Sequence, residues 1–139
     1  MRQAVQEFTI RTRGKGLYEF TPEVETWVRS CSLKTGLLTL FCRHTSASLI
    51  IQENADPDVQ TDLTHYFERI VPEDNRQYVH TMEGADDMPA HIRSVLTGVQ
   101  LSIPLIGGRL ALGTWQGIYL FEHRTSSHHR SVAAHLLGE

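Results

Sequence analysis

Histidine is the residue type that first points to chemistry in this chain, which holds eight of them in 139 residues. Three occupy informative places. His44 ends an apolar run on the parity of Leu38, Leu40 and Cys42, so on a strand it points toward a mostly apolar face. His91 lies just after Pro89, in the first turn of a helix whose unpaired N–H groups and dipole disfavour imidazolium. A neutral imidazole is the form that ligates a metal or accepts a proton. His80 lies eleven residues earlier in a polar stretch. Asp86 and Asp87 immediately precede the helix, where carboxylates are favoured and can also orient an imidazole, and Glu83 is a further acid nearby. His44, His80 and His91, with Asp86 or Asp87 bound to the ion or behind an imidazole, would offer three nitrogens and an open position, the donor set of a catalytic divalent metal such as zinc or magnesium. The competing reading is that each imidazole satisfies its own hydrogen bonds at a strand or helix end. The spacing is not that of a local motif such as HExxH.

Beside His44, the run Thr45-Ser-Ala-Ser48 supplies three hydroxyls. These could bind a phosphate or carboxylate through Thr45 and Ser46, or form an ordinary polar turn. A serine hydrolase is disfavoured, because there is no GxSxG elbow. A second stretch runs from Arg109 to Arg124. Arg109 is a candidate phosphate contact, and Gln116 and Glu122 are candidate catalytic groups on one parity of a strand. In an unbent strand these two would stand about 20 Å apart at ~3.3 Å per residue, so one small ligand in one subunit cannot meet both. The plainer role for Glu122 is a salt bridge to Arg124 or Arg130. His128 and His129 are adjacent on a strand and face opposite ways, which argues against a ligand pair.

The elements that must position these groups are legible in outline. Residues 3–12 read as a strand ended by Gly14-Lys-Gly16. Thr21 as N-cap and Pro22 at the first position open a short helix with Val24, Trp27 and Val28 on one face. Strands follow at 37–43 and 48–52. Asp56 caps and Pro57 opens a helix to about Ile70, whose stripe Val59, Leu63, Tyr66, Phe67 and Ile70 is assigned to the core. Residues 72–88 read as a long polar loop of the kind that carries function. A third helix runs from about Pro89 to Thr97, with Gly98 as its stop. The rest reads as strands at 99–105, 110–112, 115–124 and 129–137. Three short helices among many hairpin-linked strands predict an α+β fold on antiparallel sheets, in a single domain over residues 1–139.

Composition narrows the function classes. Hydrophobic residues make up 40% and charged residues 21%, ordinary globular values that exclude a disordered or fibrous chain. The net charge of −3 argues against nucleic-acid binding through phosphate neutralisation, despite the basic run Arg11-Thr-Arg-Gly-Lys15. No apolar run is long enough to span a membrane, and MRQAVQEFTI lacks the apolar core of a signal peptide, so a cytoplasmic protein is expected. The two cysteines, Cys31 and Cys42, form no metal or redox motif, and Cys42 is expected in the core.

Several longer runs carry a family resemblance. His44-Thr-Ser-Ala-Ser-Leu49, Glu53-Asn-Ala-Asp-Pro57 with Asp62-Leu63, Glu83-Gly-Ala-Asp-Asp-Met-Pro-Ala-His91 and Gly108-Arg-Leu-Ala-Leu-Gly-Thr-Trp-Gln-Gly-Ile-Tyr119 together resemble the YjbQ family, in order and over about residues 3–138. The resemblance implies a compact α+β homotrimer. It also implies the activity with which that family is labelled, a weak thiamine-phosphate synthase reaction. In that reaction a pyrimidine diphosphate joins a thiazole phosphate and pyrophosphate leaves. It places His44, His80, His91, Asp86, Asp87, Thr45, Asn54 and Gln116 on the family's suspected site motifs. Two functions are therefore expected to compete: a metal-assisted enzyme acting on a phosphorylated or anionic small molecule, and a non-catalytic trimer that binds a metal or phosphometabolite. In the first, Asp87 orients an imidazole or acts as general base.

Overall fold

A computed structural model describes every residue from Met1 to Glu139. The elements, in chain order, are β1 (Arg2–Thr12), β2 (Gly16–Glu19), α1 (Thr21–Ser30), β3 (Gly36–Cys42), β4 (Ala47–Glu53), α2 (Pro57–Ile70), a 3-10 turn at Asn75–Gln77, α3 (Asp87–Thr97), β5 (Gln100–Ile106), β6 (Arg109–Leu110), β7 (Gln116–Glu122) and β8 (His128–Gly138). All strand pairings are antiparallel and build two sheets, β1-β8-β3-β5-β6 and β2-β7-β4. The α+β expectation therefore holds.

Alternation along the strands makes the core. Leu38, Leu40 and Cys42 of β3, Ile103 and Leu105 of β5, and Val132, Ala134 and Leu136 of β8 point inward from the larger sheet. They meet Leu49 of β4, Ile118 and Leu120 of β7, and Phe20, Val24 and Val28 of the α1 segment. Each fully buried leucine or isoleucine contributes roughly 1.5–3 kcal/mol. The central strand β7 is buried from Gly117 through Glu122, because its other face, carrying Tyr119 and Phe121, is covered as well. Phe67 of α2 packs edge-on against Phe121 with ring centroids 5.4 Å apart. Ser94 of α3 donates to the Ala47 carbonyl of β4 at 3.0 Å. Cys42 is a core residue, as expected, and both cysteines are free thiols.

One strand was not anticipated, and three local expectations are corrected. β2 is a strand too short to show a period; its Gly16–Glu19 register against Glu122–Tyr119 of β7 comes from pairing, not pattern. Thr21 does not cap α1. The helix starts at Thr21, and its hydroxyl accepts the buried Ile118 N–H at 2.7 Å and donates to Glu19 Oε2 at 2.8 Å, so a tertiary demand displaces the cap. The apolar stripe of α2 is not core. No residue of α2 is buried, and Tyr66 and Ile70 are 49% and 46% exposed, because the helix lies over the outer face of the smaller sheet with nothing beyond it. Finally, the polar loop contains the 3-10 turn, capped by Asp74 accepting from Arg76 N–H at 3.1 Å, and α3 begins at Asp87, two residues before Pro89. The Asp56 cap of α2 is present, with its carboxylate accepting from Asp58 N–H at 2.9 Å.

Candidate functional site

The first turn of α3 does most of the positioning. Asp87 and His91 are four residues apart and so lie on one face of the helix. Asp87 is 2% exposed, and its two oxygens do different work. Oδ1 accepts from Arg124 Nη1 at 2.7 Å, while Oδ2 faces His80 Nε2 at 2.7 Å and His91 Nε2 at 3.1 Å. Arg124 lies just beyond the end of β7. Its Nε donates to Asp86 Oδ2 at 2.9 Å, and the same Asp86 oxygen accepts the Thr125 N–H and hydroxyl, each at 2.9 Å. Burial pushes both carboxyls up, but hydrogen bonds and the Arg124 charge outweigh it for Asp86, and His80, Arg124 and His91 outweigh it for Asp87, so both remain ionised well below neutral pH.

His91 fixes the chemistry of this cluster. Its Nδ1 lies 2.9 Å from the Thr45 carbonyl oxygen, which can only accept, so Nδ1 carries a hydrogen. In the neutral ring Nε2 then has a bare lone pair, and that lone pair faces an ionised carboxylate oxygen. Two acceptors at 3.1 Å are stable only with a cation between them, either a proton on the ring or a shared metal ion. The ligand atoms of His80, Asp87 and His91 lie within 4.8 Å of one another, and both imidazoles reach solvent, leaving positions open to water or substrate. Two nitrogens and one carboxylate oxygen fit zinc or a related divalent ion.

The remaining expected residues are placed as follows. His44 does not join the cluster. Its Nε2 accepts the Ser131 N–H at 2.8 Å, tying the start of the β3–β4 connection to β8, and burial holds its pKa below the usual value. The three-histidine set is thus replaced by two histidines and Asp87. Thr45 contributes its backbone carbonyl. Ser46 is buried and turned toward Arg130, from whose Nη2 its hydroxyl and its carbonyl both accept, at 3.0 and 3.3 Å. Glu122 is turned into the interior. It is fully buried in an ion pair with Arg130, whose Nε donates to Oε1 at 2.7 Å, and it also accepts from Thr12 Oγ1 at 2.6 Å. That is the plainer salt-bridge role foreseen for it.

Asn54, Arg109 and Gln116 do come together, but at the far end of the smaller sheet. The register pairs Glu53 with Gln116 and Ala47 with Glu122, so β4 and β7 run unbroken between the two ends. At ~3.3 Å per residue the ends are about 20 Å apart. A groove of about 560 Å³ opens there, lined by Glu19, Glu25, Asn54, Arg109, Thr114 and Gln116 among others.

The sequence offered Arg124 only as a partner for Glu122, whereas it pairs with Asp86 and Asp87, and Glu19 was not singled out. The signal for the Asp87–His91 pair was present, a four-residue spacing, but starting the helix at Pro89 hid it. Nothing local marks Arg124, whose role depends on where β7 ends relative to α3.

The model of the family described as UPF0047 protein YjbQ-like matches residues 6–139. A UPF0047 protein of Synechocystis is 56% identical over 138 residues, covering 99% of this chain and 94% of that protein. The UPF0047 protein YjbQ of Salmonella typhimurium is 46% identical over 132 residues, 94% of this chain and 95% of its own. Among solved structures, an uncharacterised conserved yjbq/upf0047-family protein from Clostridium acetobutylicum is similar with a TM-score of 0.87 at 32% identity, over 95% of this chain and 99% of that one. A hypothetical protein from Aeropyrum pernix gives a TM-score of 0.88 at 28% identity, over 98% and 99%.

Proposed function

This chain belongs to the UPF0047 family of YjbQ-like proteins, and from that premise we propose a metal-assisted enzyme that acts on a phosphorylated small molecule at His80, Asp87 and His91. The observation that carries the reading is the His91 ring, whose Nδ1 donates to the Thr45 carbonyl so that Nε2, the nitrogen a metal would take, is aimed at Asp87 Oδ2. A divalent ion bound there supplies charge to offset a diphosphate leaving group or to polarise a phosphoryl oxygen. The chain's own groups prepare that position. Arg124 and Asp86 lock Asp87, the α3 backbone sets His91 above it, and the loop brings in His80 from the solvent side. Both oxygens of Asp87 are engaged, which favours a holding role for this residue over that of general base.

The specific reaction we propose is the weak thiamine-phosphate synthase type, a pyrimidine diphosphate and a thiazole phosphate condensing with release of pyrophosphate. The working assembly is a homotrimer. The outward face of the larger sheet supports it, because Val5, Leu37, Phe41 and Leu137 stand exposed there as an apolar patch of the kind subunit contact covers. The competing reading is a trimer that binds metal or a phosphometabolite without turnover.

The test is metal analysis of the purified protein together with steady-state kinetics on the two thiamine precursors. About one divalent ion per chain, lost in His80→Ala and His91→Ala but retained in His44→Ala, supports the site. Pyrophosphate release from the two precursors that is proportional to enzyme, depends on that ion and is lost in His91→Ala supports the enzyme, however slow it is. No turnover above the uncatalysed rate with metal still bound selects the binding reading, and metal content unchanged by His91→Ala overturns the site.

A further inference from the structure

The groove at the opposite end of the smaller sheet has a binding chemistry of its own. It is lined by α1, by the β5–β6 hairpin, by Asn54 just past β4 and by Gln116 at the start of β7. Its size falls in the range of small-molecule sites, roughly 300–1,000 Å³. The orientation of both carboxamides is decided by their neighbours. The Gly113 N–H can only donate, and it meets Gln116 Oε1 at 2.7 Å, so the Gln116 NH2 is left over as a donor. Glu19 Oε2 accepts from Thr21 Oγ1 at 2.8 Å and from Asn54 Nδ2 at 3.2 Å, which leaves Asn54 Oδ1 and Glu19 Oε1 as acceptors. Gly117 makes this possible, because a Cβ there would lie 2.6 Å from Glu19 Oε2 and 3.2 Å from the Asn54 Cβ.

The charges sort the same way. Glu25 and Arg29, both exposed at the rim and 4.0 Å apart, offset each other's charge. That leaves the Glu19 carboxylate beside the Asn54 carbonyl as an acceptor pair, and the exposed Arg109 guanidinium with the Gln116 NH2 as donors.

We propose that this groove is a second binding site, separate from the histidine cluster, for a small zwitterion: its amino group is held by Glu19 and Asn54, and its phosphate or carboxylate by Arg109 and Gln116. Amine N–H groups donate to Glu19 Oε1 and Asn54 Oδ1, and the guanidinium and the carboxamide NH2 donate to the anionic end. This reading does not depend on metal binding at His80, Asp87 and His91.

The probe is O-phosphoethanolamine, titrated into the ¹⁵N-labelled protein and followed by amide shifts, with ethanolamine and inorganic phosphate as separate comparisons. Saturable shifts are expected at Gly113, Gln116 and Gly117. Glu19→Gln and Arg109→Gln should each weaken binding about tenfold or more, the loss expected for one hydrogen bond to a charged group. Each half of the probe should bind at least about tenfold more weakly than the whole. His91→Ala should bind the probe as tightly as the parent protein. Arg109 lies exposed on the two-residue β6, so its variant keeps the test open if Glu19→Gln disturbs folding. The proposal is overturned by the absence of saturable shifts, by inorganic phosphate binding as tightly as the zwitterion with Glu19→Gln without effect, or by shifts confined to Asp87–His91.

Discussion

Arg124 shows how one side chain can set the chemistry of another. Its guanidinium spans Asp86 and Asp87 and leaves only Asp87 Oδ2 turned toward the imidazoles. Arg124→Met frees Asp87 to rotate and should weaken metal binding about 10–100-fold, the usual cost of losing a group that orients a ligand. Arg124→Lys, a point charge without the planar fork, should recover only part of it. Competition with a chromophoric chelator measures both. His44→Ala separates the structural histidine from the others. It leaves the Ser131 N–H without its acceptor and should cost about 1–3 kcal/mol of stability in urea titration, with metal content unchanged. At this scale the sequence singled out His80, His91 and Asp87, which the fold brings together. His44 looked the same as they did, because its parity reported burial and nothing in the chain order reported that a backbone N–H of β8 would claim its nitrogen.

Elements decided what single residues could not. The Asp86-Asp87 start of α3, the end of β7 and the β3–β4 connection meet because α3 packs along β4 and β4 pairs with β7. Capping is testable here. Asp56→Ala removes the bond to Asp58 N–H and should lower stability by about 1 kcal/mol. Thr21→Val should cost more, about 1–3 kcal/mol, because it strands the buried Ile118 N–H; a thermal melt of each variant ranks the two. The helices and long strands were legible because periodicity and cap residues are local signals. β2 was not, since four residues show no period, and the exposure of α2 was not, since its apolar stripe is the same whether one layer or two cover it. The distance between Gln116 and Glu122 was legible, and it put them at opposite ends of the smaller sheet, which a list of motif residues would merge.

The whole molecule carries its acid sensitivity in its interior. Burial, with Arg93 adding to it, holds the pKa of His123 down to about 3 from 6.5, so the folded ring stays neutral where the unfolded ring would protonate. The unfolded chain therefore binds the extra proton between these values, and stability should fall with acidification by up to about 1.4 kcal/mol per pH unit from 6.5 toward 3. Glu122 adds to this below its ordinary 4.5, since Arg130 and Thr12 outweigh burial and hold its folded pKa lower. Denaturant titrations across pH should show one descending acid limb, shallower in His123→Gln. Glu122→Gln strands the buried Arg130 and should cost about 3–5 kcal/mol at neutral pH. Light scattering at micromolar concentration checks the homotrimer, and a monomer mass would exclude it. One feature of the larger sheet bears on how the chain is made. β8 lies between β1 and β3, pairing with both, yet it is the last of these strands in the sequence. On the ribosome the slot between β1 and β3 must stay vacant until residues 128–138 emerge, so that sheet closes last, and the unpaired edges of β1 and β3 are the nascent chain's point of vulnerability to self-association.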